Sequence, residues 1–208
     1  MTLSEVVKGG WTKRAVVMVF LLALSVVLSA CVGYHMITKD EKPSTYAAKS
    51  NKATLIIIRA TKWSGNRGLT IGPGQVVTNY LDGKMIGQTR GKSYFVTEVK
   101  PGAHYVMAQA QNTAVARIRF EAGRIYILSQ LLFPGFNRPT TGFVPMSSED
   151  FSKEYTDADF LVYDTAHPGD DMPANEYQEQ RDDFEKEAKE DPGRHKDTLN
   201  YRGYARLR

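Results

Sequence analysis

"ATLIIIRAT", residues 53–61, is apolar and largely β-branched along its length. A strand with one wet face alternates apolar and polar residues. A run that is apolar on both faces belongs in the middle of a covered sheet. The stretch therefore predicts a central strand and, with it, a mainly β fold. Its surroundings supply the partners. Residues 75–89, "QVVTNYLDGKMIGQT", read as two strands joined at Asp82-Gly83, the dipeptide that best tolerates positive φ in a tight turn. Residues 93–110 read as a second pair turning at Pro101-Gly102, where proline presets φ and glycine accepts a positive one. Residues 115–133 read as a third pair turning at Ala122-Gly123. Within it Ala116, Ile118 and Phe120 alternate with Arg117 and Arg119, the pattern of a half-buried strand with a basic outer face. About seven short strands at this spacing predict a small antiparallel β-sandwich or partial barrel.

Beyond "FPGFNRPTTGFVP" (133–145) the texture changes. "SSEDFSKEY" reads as a short helix with a serine N-cap, and "DFLVYD" (159–164) as one late strand. The clearest helix is 173–190, with Asp171 or Met172 near its cap, Pro173 in the tolerated first turn and a stop at Asp191-Pro192-Gly193. Its apolar stripe is thin: Tyr177, Phe184 and Ala188. Such a helix is not stable by propensity alone and needs a surface to lie on.

Charge supplies one. The chain has 208 residues and a net charge of only +4, but the charge is in blocks. Residues 32–146 carry 15 Lys+Arg against 5 Asp+Glu, residues 147–191 carry 4 against 16, and residues 192–208 carry 5 against 1. An acidic C-terminal helix beside a basic strand face predicts either an internal partner or two solvated faces. The candidate basic contacts for an anionic surface are Arg117 and Arg119, joined by Arg90, Lys92 and Lys100.

The N-terminus has its own logic. Lys13 and Arg14 precede a run from Ala15 to Ala30 that holds no charge. A bilayer-spanning helix needs roughly 20 apolar residues, so the run suits the apolar region of a signal peptide. It ends at Leu28, Ser29, Ala30 and Cys31, the only cysteine in the chain. "LSAC" resembles the lipobox of bacterial lipoproteins. That resemblance implies a signal peptide at 1–30, cleavage before Cys31, and a diacylglyceryl group on its thiol. Two or three acyl chains anchor a protein stably where one does not. In such proteins an Asp after the cysteine resembles an inner-membrane retention signal. Val32 stands there, which leans toward the periplasmic face of the outer membrane. With Cys31 so used, no disulfide is available in the oxidising compartment, and the fold must rest on its core. Residues 31–52 then read as the lipidated cysteine and a flexible tether, 53–133 as the sandwich, and 134–208 as a helical, acidic extension with a basic tail.

The stretch "YLDGKMIGQTRGKSYFVTEVKPGAHYVMAQ" (80–109) is similar to a domain of unknown function found in bacterial lipoproteins, and resembles PEGA-type surface domains, which share the DG and PG turns. Both resemble the transthyretin-like, or carboxypeptidase-regulatory-like, β-sandwich. The likeness covers roughly 53–133. It implies a fold and an envelope location, and no reaction.

Motifs for chemistry are sparse. "GKS" (91–93) lacks the upstream glycine of a phosphate-binding loop, Ile86 standing in its place. The glycine-rich loop 62–74 reads as ordinary turns. His35, His104, His167 and His195 lie at no metal-binding spacing from one another. No G-x-S-x-G occurs, and the carboxylates of 147–191 crowd a region where solvation explains them. The expectation is a non-enzymatic binding or assembly module, lipid-anchored in a bacterial cell envelope, without metal, cofactor or nucleic-acid partner. Its partner would be an anionic envelope component or a protein. The rival readings are a structural subunit of a surface assembly and a carboxylate-dependent envelope hydrolase.

Overall fold

The computed structural model describes residues 33–43, 45–59, 75–133 and 140–207. The expected signal segment 1–30, the lipobox-like stretch through Cys31 and the glycine-rich loop 62–74 lie outside them. Among these described residues ten strands form two sheets. The larger has the order β1 (Met36–Lys39), β10 (Asp159–Tyr163), β5 (Ser93–Val99), β2 (Ala53–Arg59), β8 (Ile125–Phe133) and β9 (Thr140–Pro145). The smaller has the order β4 (Lys84–Arg90), β3 (Val76–Leu81), β6 (Gly102–Gln109) and β7 (Thr113–Phe120). The protein is a mainly β sandwich with helices outside it.

β2 lies where its composition predicts, between β5 and β8, with every residue buried. Leu55 and Ile57 belong to the core between the sheets, with Phe95, Val106, Ile118, Phe120 and Leu128. Ile56 and Ile58 face the other way, onto Tyr94, Ile125, Ile127 and Phe151. Both faces of β2 are covered, so both sets of side chains are driven inward. Each such fully buried branched side chain stabilises the fold by about 1.5–3 kcal/mol.

The strand reading needs three corrections. First, the large sheet is mixed: β2 pairs with β8, and β10 with β5, in parallel. Second, only Asp82-Gly83 closes a hairpin among the three predicted turns, with φ of 51° and 81° at its two residues. Pro101-Gly102 and Ala122-Gly123 are corners, at which the chain leaves one sheet for the other. This explains the parallel pairing, since β8 returns to the large sheet running the same way as β2. The second hairpin is β6–β7, paired from Gly102↔Phe120 to Gln109↔Thr113. Third, the sandwich is not confined to 53–133. β1 comes from the expected tether, and β9 and β10 come from the expected extension. β10 fills the gap between β1 and β5, satisfying backbone groups on both sides. The remaining tether is not loose either, because Tyr46 and Ala48 pack on the outer face of the large sheet.

Helices close the two outer faces. α1 (Ser148–Glu154) is capped by Ser147, whose hydroxyl accepts from the Asp150 amide at 3.0 Å and donates to its carboxylate at 2.7 Å. It lays Phe151 edge-on to Tyr94 and Tyr46. α2 (Ala174–Glu190) covers the small sheet. Pro173, expected in its first turn, takes the cap position itself, and Asp171 accepts from the Met85 amide at 2.9 Å, tying the helix entry to β4. A short α3 (Lys196–Leu199) leads into the tail, where Tyr204 bridges Ile125 and the Tyr201 hydroxyl donates toward the Met146 carbonyl at 3.5 Å. Among the described residues, no helix is long and apolar enough to cross a membrane.

Candidate functional site

The basic residues singled out in the sequence do not form one patch. Arg90 and Lys92 flank the turn from β4 to β5, whereas Lys100 lies at the far end of β5, roughly 20 Å away at about 3.3 Å per residue. Arg90 stacks over the Tyr34 ring, 4.5 Å from its centroid. Lys92 is held between Glu154 at 3.3 Å and Asp157 at 3.5 Å. Arg117 and Arg119 stand on β7, at the other edge of the small sheet.

At β7 the two charge blocks meet. Arg117 pairs with Glu185 of α2 at 3.3 Å, and the Tyr105 hydroxyl donates to the same carboxylate at 2.5 Å. Burial, and then this hydrogen bond, push the Tyr105 phenol up to about 12. Gln109 donates to Glu176, about two and a half turns earlier on the helix, at 2.7 Å. The anchor of the helix is Phe184, 4% exposed, set edge-on to Tyr105. α2 therefore lies on the β6–β7 surface by its thin apolar stripe and by carboxylates directed at Arg117 and Gln109. Arg119, one pleat further along β7, remains exposed.

Where α2 overhangs the edge of the sandwich it leaves a cleft of about 310 Å³. β7 is the edge of the small sheet and β9 the edge of the large one, and the two lie side by side there. Asn112, at the tip of the β6–β7 hairpin, locks them together. Its amide donates to the Thr141 carbonyl at 3.0 Å and its oxygen accepts from the Thr141 amide at 2.6 Å. The Thr141 hydroxyl is buried and, among the described residues, has no hydrogen-bond partner. Gln180, Asp183 and Glu187 of α2 form one wall, and Arg194 and His195 close the end. Arg194 is paired with Glu187. The His195 ring lies 4.6 Å from that of Phe184, and its Nε2 is 3.4 Å from Glu187 without hydrogen-bond geometry. Burial first, then the neighbouring Arg194 charge, depress its pKa, which favours the neutral ring. The cleft offers donors, acceptors and the aromatic ring of Phe143 within one small volume, the means to hold a polar molecule by hydrogen bonds and one apolar face.

Other polar groups are structural. His104 Nδ1 is 2.5 Å from the Asp82 carboxylate, whose other oxygen accepts from the Tyr105 amide at 2.9 Å, so the pair fastens the hairpin turn to β6. Arg59 is 3% exposed and donates to the Gln75 carbonyl, and burial brings its guanidinium down to about 10. Among the described residues no three His, Cys, Asp or Glu side chains gather as a metal ion would require. Sequence reasoning did not find the cleft. Its walls come from the β6–β7 tip, β9, α2 and the segment before α3, and no local pattern joins them.

The fold and cleft define a helix-covered β-sandwich with a polar recess at one edge. Compared with known proteins, the chain matches no family model, no curated protein and no solved structure.

Proposed function

We propose that this chain is a lipid-anchored protein of the bacterial cell envelope whose β-sandwich is a non-enzymatic binding module. The observation that carries the reading is the placement of Cys31. It closes "LSAC" behind a basic flank and an uncharged apolar run, and three residues later Tyr34 is already packed against the core. The described fold therefore begins within a few residues of the proposed modification site, which agrees with a domain held close to a membrane. Val32 favours the outer membrane over the inner one. The recess beneath α2 is the binding element: it is concave, polar and built from four segments, whereas the basic side chains are dispersed or already paired with carboxylates. The likeness of residues 80–109 to lipoprotein and PEGA-type sandwich domains agrees with an envelope location and carries no activity with it.

The experiment is metabolic labelling with a palmitate analogue. The wild-type chain should take up label and fractionate with membranes. Cys31→Ser should do neither, while keeping its β circular-dichroism spectrum. Equal labelling of the two forms would sink the reading.

A further inference from the structure

Accepting acylation at Cys31, on which this inference rests, the topology fixes how the domain stands on the bilayer. The chain enters the fold at the β1/β4 side. The Tyr34 ring lies under Arg90 at the end of β4, the His35 amide donates to the Gln88 side chain of β4 at 2.8 Å, and β1 follows at once. Two residues, Val32 and Gly33, separate Cys31 from Tyr34, a reach of about 11 Å over three Cα–Cα steps at full extension. Strand order places β1 and β9 at opposite edges of the large sheet, and β4 and β7 at opposite edges of the small one. The cleft is built on β7 and β9. Five strand spacings lie between β1 and β9, about 24 Å.

So short a leash leaves two postures: on the β1/β4 edge, or flat on one of the sandwich faces. Charge decides between them. The outer face of the large sheet carries α1 with exposed Glu149 and Asp150, and that of the small sheet carries α2 with exposed Asp182, Asp183 and Glu190. Lying flat would press one of these acidic helices onto anionic headgroups, which repel them. The edge beside the leash is closer to charge balance: it presents the exposed Arg90 and Lys39 against Asp40 and Glu41, with the cross-strand pair Ile37 and Val162, 43% and 38% exposed. A guanidinium and a small apolar pair suit the headgroup layer. Two further exposed apolar residues, Phe133 and Val144, lie on β8 and β9, out of the leash's reach.

We infer that the anchored protein stands on its β1/β4 edge, with that edge against the phospholipid headgroups and the α2 cleft turned away from the bilayer. The cleft then meets solutes or polymers of the aqueous compartment, and membrane lipid stays out of its reach.

The test uses the full acylated chain in vesicles of phosphatidylethanolamine and phosphatidylglycerol doped with a nickel-chelating lipid. Cys31 is the only cysteine, and acylation consumes its sulfur, so an introduced cysteine is the sole site for a nitroxide label. Thr38→Cys and, as a second reporter of the same edge, Lys39→Cys probe β1; Asp183→Cys probes the cleft. All three positions are exposed. Nickel at the headgroups should relax the β1 labels several-fold more than the label at 183. Equal relaxation at both places, or the reverse order, overturns the posture. Mass spectrometry of the Cys31 peptide is read on the same samples. Missing acyl mass there would overturn the anchor itself, and that failure is distinct from a relaxation pattern of the wrong sign.

Discussion

Asn112 does with a side chain what a backbone does in a sheet. Its carboxamide offers one acceptor and one donor to the Thr141 peptide and so closes the open sides of two edge strands. Removing it leaves a buried peptide group without partners, and each such loss costs about 1–3 kcal/mol. Asn112→Ala should lower the urea midpoint accordingly, and Asn112→Asp, which keeps the acceptor alone, should fall between the two; a midpoint unchanged in Asn112→Ala would show that the lock is dispensable. His195 makes a prediction about pH. Its pKa is depressed in the fold, so the unfolded chain binds the proton more readily. The stabilisation is therefore complete above the ordinary histidine value of about 6.5 and is lost as pH falls through the lower folded value. The difference in Tm between wild type and His195→Gln should narrow from pH 8 to pH 5, and a gap that stays constant or widens would contradict the burial argument. Neither role is visible in sequence. An Asn in a hairpin tip reads as a turn residue, and His195 is one of four histidines with no spacing to mark it.

Among the elements, α2 shows what sequence can and cannot supply. Its limits, its thin stripe and its need for a basic surface follow from residues 173–190 alone. Its cap does not, because Asp171 is recruited by β4. Phe184 is the single fully covered residue on the helix, and the ion pair to Arg117 is half in solvent, where such pairs are worth less than about 1 kcal/mol. Phe→Ala in a packed site costs about 3–5 kcal/mol, more than the remaining polar links return. Phe184→Ala should release α2 as a unit. Limited proteolysis would then cut within 174–190 while the sandwich resists; uniform resistance would mean that the carboxylate links hold the helix. β2 was legible because both of its faces are covered, so its sequence has no alternation to hide. β1 was not, since four residues, "MITK", with one buried, carry no period at all. The corners at Pro101-Gly102 and Ala122-Gly123 have the composition of hairpin turns, and only the distant pairing of β8 with β2 tells them apart.

For the whole molecule, local signals set the fold class and long-range pairing set the topology. β2 waits for β8, about 65 residues later, to cover its second side, and β10 must slot between two strands already made. Such non-local sheets fold slowly compared with hairpin meanders of the same size. The same separation distributes the site. A recess assembled from four segments gives no motif, which is why composition and turns reveal the fold class more readily than the site.

The insertion of β10 also sets a timetable for biogenesis. Among the described residues, β1 pairs with β10 alone. Roughly 120 residues separate them, and at about 5–20 residues per second that is a delay of some 6–24 seconds after β1 has been synthesised. Until the late strand arrives, β1 is held by no ladder. If Cys31 is processed as proposed, the acyltransferase and the peptidase would need an extended, unencumbered substrate. The strand order would give them that interval, and the closing of the sheet would end it.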